Sequence, residues 1–125
     1  IKTKIERLTE HFNQFSKINY IFTDYSNNTI NKLSADQQTN LYFIIQELFT
    51  NTLKHSFATE VILQIFEDNK RIWLTIEDDG IGIQNRKTSD GIGLKNMDTR
   101  AKLAGFKVMT DSSTQGTNTT IEIRL

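Results

Sequence analysis

The sequence predicts an α+β fold, a two-layer sandwich in which helices cover one face of a mixed, mostly antiparallel sheet. Three observations lead there. Long stretches with apolar residues at helical spacing precede and interrupt the strand-like segments. Val61, Leu63 and Ile65 alternate with Ile62, Gln64 and Phe66, and after a polar turn Ile72, Leu74 and Ile76 alternate again, the pattern of a hairpin. At the end of the chain, Ile121, Ile123 and Leu125 present one apolar face.

Taken in order, Ile1, Ile5, Leu8, Phe12 and Phe15 recur between charged residues and make an amphipathic opening helix. Ile18 to Thr23 reads as a strand. Asp24 to Lys32, with consecutive asparagines, reads as a loop. Ser34-Ala35-Asp36-Gln37 supplies a helix start in which Ser34 caps and Gln37 reaches back. The helix that follows is expected to run to Lys54 or His55. It places Leu41, Ile44, Ile45, Leu48 and Thr52 on one face and Glu47, Asn51, Lys54 and His55, at i, i+4, i+7 and i+8, on another. Asp68-Asn69-Lys70 turns the hairpin, and Trp73 packs on its second face. Leu94 to Leu103 is a helix with Leu94, Met97, Ala101 and Ala104 on one side, closed by Gly105. Phe106 to Thr110 and Thr119 to Leu125 are the last strands.

At 125 residues the chain is one domain with one core, and no repeats or linkers interrupt it. Fifteen Lys plus Arg balance fifteen Asp plus Glu, so net charge gives no long-range attraction to nucleic acid or an anionic membrane. Any anion site is therefore local. The lack of cysteine excludes disulfides and thiolate metal centres and fits a reducing, intracellular setting, and two separated histidines argue against zinc. No apolar run approaches the roughly 20 residues that cross a bilayer, and the opening residues do not form a signal peptide. The abrupt start in helix-like sequence suggests a piece of something longer.

Two blocks carry chemistry. Asp78-Asp79-Gly80-Ile81-Gly82-Ile83 follows a strand, where glycine admits a positive φ and a close-approaching ligand; taken alone, such a block is also an ordinary polar turn. Gly91-Ile92-Gly93-Leu94 precedes the predicted helix, whose first N–H groups and dipole suit phosphate oxygens; alone, it is equally a plain helix start. Neither spacing is that of a Walker loop or a dinucleotide fingerprint. Glu47 and Asn51 offer hard oxygens suited to Mg²⁺, although charged helical faces are usually solvated. Lys54 and His55 sit where a helix C-terminus favours cations in any case. Arg86, Lys87, Lys95, Arg100 and Lys102 make this half locally basic. His11 reads as an exposed surface residue.

In this order, the blocks resemble the ATP-binding catalytic domain of sensor histidine kinases, within the superfamily shared with gyrase, Hsp90 and MutL. QELFTNTLKHS resembles the asparagine box, DDGIGI the first glycine box, GIGLKNM with Arg100 the second, and QGTNTTIEIRL the closing Gly-Thr strand. The Lys54-His55 pair and the short lid between Gly82 and Gly91 are most similar to two-component kinases related to nitrate and membrane-fluidity sensors; gyrase-type ATPases usually carry Asp-Ala where His55-Ser56 stand. Ser56 replaces a frequent alanine, a small change.

The resemblance implies a Bergerat-type ATP-binding fold and assigns roles. Asp78 accepts a hydrogen bond from the adenine amino group, with Thr117 assisting, in a pocket shaped by Gly80 and Gly82. Asn51 coordinates Mg²⁺ bridging the phosphates of ATP, and Lys54 and His55 contact phosphate oxygens. Gly91 and Gly93, with Leu94 beside them, let the lid close over the triphosphate. Glu47 polarises the attacking nucleophile, as in hydrolysing relatives, or leaves that task to a base beside the phosphoacceptor. Residues 1–125 are then one catalytic domain without its dimerisation, phosphoacceptor and sensor domains, because no His-Asp or His-Glu pair heads a helix and His11 is followed by Phe12. The implied partners are the dimerisation and phosphoacceptor domain of the same kinase and a downstream response regulator, with no direct nucleic-acid partner. A monomeric, cytoplasmic domain is expected, in a bacterial kinase that reaches the membrane only through segments N-terminal to this chain. Two alternatives remain: a serine kinase of the anti-sigma type, and a pseudokinase or interaction module.

Overall fold

A computed structural model describes residues 1–82 and 91–125. The helices are α1 (Lys2–Phe15), α2 (Ala35–Asn51) and α3 (Gly91–Ala104); the strands are β1 (Asn19–Asp24), β2 (Glu60–Asp68), β3 (Arg71–Asp78), β4 (Lys107–Ser113) and β5 (Gly116–Arg124). The sheet order is β1-β2-β3-β5-β4. β1 pairs with β2 in parallel, and the other three pairings are antiparallel. This is the mixed, mostly antiparallel sheet that the alternation and the intervening helices predict.

The helices lie on one sheet face because each has one apolar stripe to bury. Ile5, Leu8 and Phe12 of α1, Leu41, Ile44, Ile45 and Phe49 of α2, and Met97 and Ala101 of α3 form one core with Leu63, Ile65, Leu74 and Ile121 from the strands. On the opposite sheet face Trp73 stacks on Phe66 at 5.7 Å, and Phe66 on Tyr25 at 5.4 Å. Phe15 departs from the expectation. It is 70% exposed and rests on His11, which is itself exposed, at the last turn before the chain leaves α1 at Ser16.

Boundaries moved for local reasons. Asn27 and Asn28 take φ of 53° and 66°, conformations asparagine tolerates, and lead into a 3₁₀ turn at Thr29–Lys32 inside the expected loop. The Ser34 hydroxyl accepts from the Gln37 N–H at 3.2 Å while Gln37 Oε1 accepts from the Ser34 N–H at 3.3 Å, so the expected capping box is present. The α-helix stops at Asn51, and the chain continues as a π turn, Thr52–Ser56. α3 begins at Gly91 rather than Leu94, so both glycines of the second block belong to its first turn. Gly105 closes α3. The last two strands are longer than predicted and form a hairpin whose ladder reaches Ser113 and Gly116.

Candidate nucleotide site

β3, the central strand, ends at Asp78, where the strand's burial rhythm puts a carboxylate on the core side, 8% exposed. The chain folds back at once, and the Gly80 N–H donates to Asp78 Oδ1 at 2.9 Å. Thr117 stands opposite Asp78 in the β3–β5 ladder and is buried; its Oγ1 lies 3.0 Å from Ser112 Oγ. Asp78, Ser112, Ser113, Gly116 and Thr117 line a polar cavity of about 350 Å³, within the usual size range of small-ligand sites.

Two glycines make this corner possible. Gly82 has φ +85°, and a Cβ there would lie 2.0 Å from the Ser113 carbonyl oxygen. Gly116 has φ +147°, and a Cβ would meet the Asp78 carbonyl oxygen at 2.2 Å. The hairpin end therefore touches the Asp78–Gly82 segment backbone to backbone, which no side chain permits. Gly80 is buried as well, and its part is the amide it gives Asp78.

Asp79 is tied elsewhere. Its Oδ1 accepts the N–H groups of Thr59 at 2.8 Å and Glu60 at 3.0 Å, and its Oδ2 accepts the Thr59 hydroxyl. Burial works against the charged form, but these donors together outweigh it and hold the carboxyl below the usual aspartate range. This clamp joins the start of β2 to the loop after β3.

Asn51, the last α2 residue, is 5% exposed, and its Nδ2 is buried without a hydrogen-bond partner among the described residues. An orphaned donor of this kind is costly unless something meets it. Its amide combines an oxygen suited to a hard cation with N–H groups suited to a phosphate oxygen, so the donor set fits a Mg²⁺–phosphate pair. Among the described residues no cluster of three or more His, Cys, Asp or Glu could hold a metal by itself.

Three of the four polar positions of this segment are described, and they differ in burial. Glu47 is half-buried, Asn51 turns inward and Lys54 is exposed. After Asn51 the chain winds as a π turn, whose wider spacing shifts the register of Lys54 relative to Glu47 and Asn51. His55 lies within that turn. Gly91, Gly93 and Leu94 occupy the first turn of α3, where backbone N–H groups lack intrahelical partners. The side chains of His55 and Leu94, together with Arg86, Lys87 and the expected lid between Gly82 and Gly91, lie outside the described residues.

Sequence reasoning missed Ser112 and Ser113 because the β4 register beyond Thr110 is polar and carries no apolar alternation. It missed Tyr20 for the opposite reason, since that residue passes for one more core aromatic. Tyr20 is buried on β1, and its hydroxyl donates to the Phe49 carbonyl at 3.1 Å.

Residues 36–125 match the family described as histidine kinase-, DNA gyrase B-, and HSP90-like ATPase. Sensor histidine kinase ComP of Bacillus subtilis is 43% identical over 58 residues, 46% of this chain and 8% of ComP. Signal transduction histidine-protein kinase/phosphatase UhpB of Salmonella typhimurium is 35% identical over 91 residues, 73% of this chain and 18% of UhpB. The chain thus spans less than a fifth of the length of either relative. The solved histidine kinase domain of the Erythrobacter litoralis EL346 blue-light activated kinase superposes with a TM-score of 0.78 at 19% identity, covering 97% of this chain and 59% of that one, a likeness of fold.

Proposed function

The chain belongs to the histidine kinase-, DNA gyrase B-, and HSP90-like ATPase family, and from that premise we propose that it binds Mg²⁺-ATP and donates the γ-phosphoryl group to a histidine on a separate dimerisation and phosphoacceptor domain. Membership makes it an ATPase-type catalytic domain of the kind found in two-component sensor kinases. The metal, the transfer step and the residue roles are our reading.

The observation that carries it is the Asp78 corner: a buried carboxylate, steadied by the Gly80 amide, facing Thr117 across the ladder at a polar cavity. An adenine offers the amino donor such a carboxylate accepts, while guanine presents a carbonyl at that position. Asn51 would hold Mg²⁺, which would neutralise charge on the phosphates. Lys54 and His55 would contact phosphate oxygens, and the first-turn amides of α3, at Gly91 and Gly93, would receive them. Glu47, half-buried one α turn before Asn51, would orient the nucleophile. Phosphoryl transfer asks mainly for positioning and charge neutralisation, so these groups suffice to prepare ATP without supplying the acceptor.

A cytoplasmic site, a partner phosphoacceptor domain and a response regulator downstream belong to the same proposal. Among the described residues no helix is long and apolar enough to cross a membrane. The test is calorimetry with Mg²⁺-ATP and Mg²⁺-GTP, followed by labelled transfer to a separately supplied histidine-bearing helical domain. Adenine-selective binding and an acid-labile label are expected; equal affinity for both nucleotides, or an acid-stable label, overturns the reading.

A further inference from the structure

Two hydroxyl groups hold the point at which the long helix changes register. Thr52 Oγ1 donates to the Leu48 carbonyl at 2.8 Å, and Tyr20 donates to the Phe49 carbonyl at 3.1 Å. These carbonyls are consecutive and lie in the last turn of α2, where backbone bonding passes from α to π spacing. The Thr52 N–H is already shared between the same two oxygens. A change of spacing disturbs the one-to-one pairing of N–H and C=O groups, and the two hydroxyls add donors at these same carbonyls.

The two grips differ in origin. Thr52 acts from within the turn, whereas Tyr20 reaches across from β1, its ring against Phe12 at 5.1 Å and Phe49 at 4.8 Å. Tyr20 therefore fixes the end of α2 relative to the sheet. Burial first, and the nearby Asp78 carboxylate second, push the Tyr20 hydroxyl's pKa up, so it remains a protonated donor. Between the two held carbonyls and Thr52 stands Asn51, buried, with its Nδ2 unpartnered among the described residues.

We propose that Tyr20 and Thr52 are positioning residues that hold the last turn of α2, ahead of the π turn, and so present the Asn51 amide to the metal and phosphates. This rests on the assignment of Asn51 given above. Loosening either grip frees the last turn of α2 and lets Asn51 rotate away.

The test uses Tyr20→Phe, which keeps the aromatic stack, Thr52→Val, which keeps the shape, and Thr52→Ser, which keeps the hydroxyl. Two measurements are made on the whole chain: the Asn51 side-chain amide resonance without nucleotide, and ATP affinity with Mg²⁺ and with EDTA. In Tyr20→Phe and Thr52→Val the resonance should move and Mg²⁺-ATP affinity should fall by about fivefold, the factor carried by one net hydrogen bond. EDTA affinity should hold, and Thr52→Ser should match the parent. An Asn51 resonance unmoved in both variants overturns the proposal, as does an equal loss with and without metal. Should Tyr20→Phe fail to fold, Thr52→Val, outside the aromatic cluster, decides alone. A parent chain whose ATP affinity ignores Mg²⁺ refutes the metal role of Asn51, while the resonance still decides the positioning.

Discussion

Asp78 answers to three neighbours at once: the Gly80 amide on its carboxylate, Thr117 across the ladder, and Gly116 pressed against its carbonyl. Asp78→Asn replaces one acceptor oxygen by a donor that faces the adenine amino group. It should weaken ATP by about 1–3 kcal/mol, the range for a hydrogen bond to a charged group, and calorimetry should register the loss in enthalpy. Gly116→Ala separates the local geometry from the carboxylate's chemistry, since the new methyl would meet Asp78 backbone rather than a yielding side chain. The fold should lose about 1–3 kcal/mol to that overpacking. A melting temperature unchanged from the parent would contradict the backbone contact. Both residues were legible in advance as parts of motifs, but neither motif says that one glycine supports the other's aspartate.

At the scale of elements, the two ends of the α2 run behave oppositely. Its start is well capped, and Ser34→Ala removes the hydroxyl that accepts the Gln37 N–H. A stability loss of about 1 kcal/mol is expected in urea titration. Its end is strained: Phe57, after the π turn, holds φ +56° and is 82% exposed. An L-residue with a Cβ in that left-handed conformation costs about 1–2 kcal/mol, which Phe57→Gly should partly return as a higher melting temperature. A lower one would mean that the exposed ring contributes packing that outweighs the strain. Helix start and stop signals told these ends apart unequally. The capping box is written in four adjacent residues, whereas the hold on the last turn of α2 depends on hydroxyls from Tyr20 and Thr52, and Tyr20 is thirty-odd residues away from the turn it helps to hold.

For the whole molecule, acid offers a global test. Asp24 and Asp79 are both held below the usual aspartate pKa although burial opposes it: Asp24 by the Ser26 hydroxyl and N–H and by the Lys2 ammonium, Asp79 by the donors of Thr59 and Glu60. Lys2 stands 3.5 Å from Asp24, so this pair also ties α1 to the end of β1. Because the folded values lie below the unfolded value of about 3.9, the stabilisation is complete above that pH and is lost as pH falls through the folded values. Denaturant titrations from pH 7 to pH 2 should show a steep decline below pH 4, flattened in Asp24→Asn. An unaltered slope in that variant would remove Asp24 from the account. On the proposed function the phosphoacceptor histidine stands on a separate domain. Proximity supplies several kcal/mol of such a barrier, so the chain alone should bind ATP yet acquire no label from radioactive ATP; stoichiometric label on His11 or His55 would overturn that division of labour.

What the sequence by itself determined is local or periodic. The alternation of Val61, Leu63 and Ile65 and the helical spacing of Leu41, Ile44 and Ile45 set the elements and the buried face of each, since burying one stripe is a property of a single segment. The ordered asparagine and glycine blocks pointed to the family. Only the tertiary structure decided that Thr117 stands across from Asp78, that Gly116 and Gly82 bring the last hairpin against the loop after β3, and that Asn51 turns inward ahead of a π turn. Each of these depends on strand register or on a hydrogen bond between layers, and such contacts are chosen by the collective packing of the sheet and helices, which no short window of residues contains.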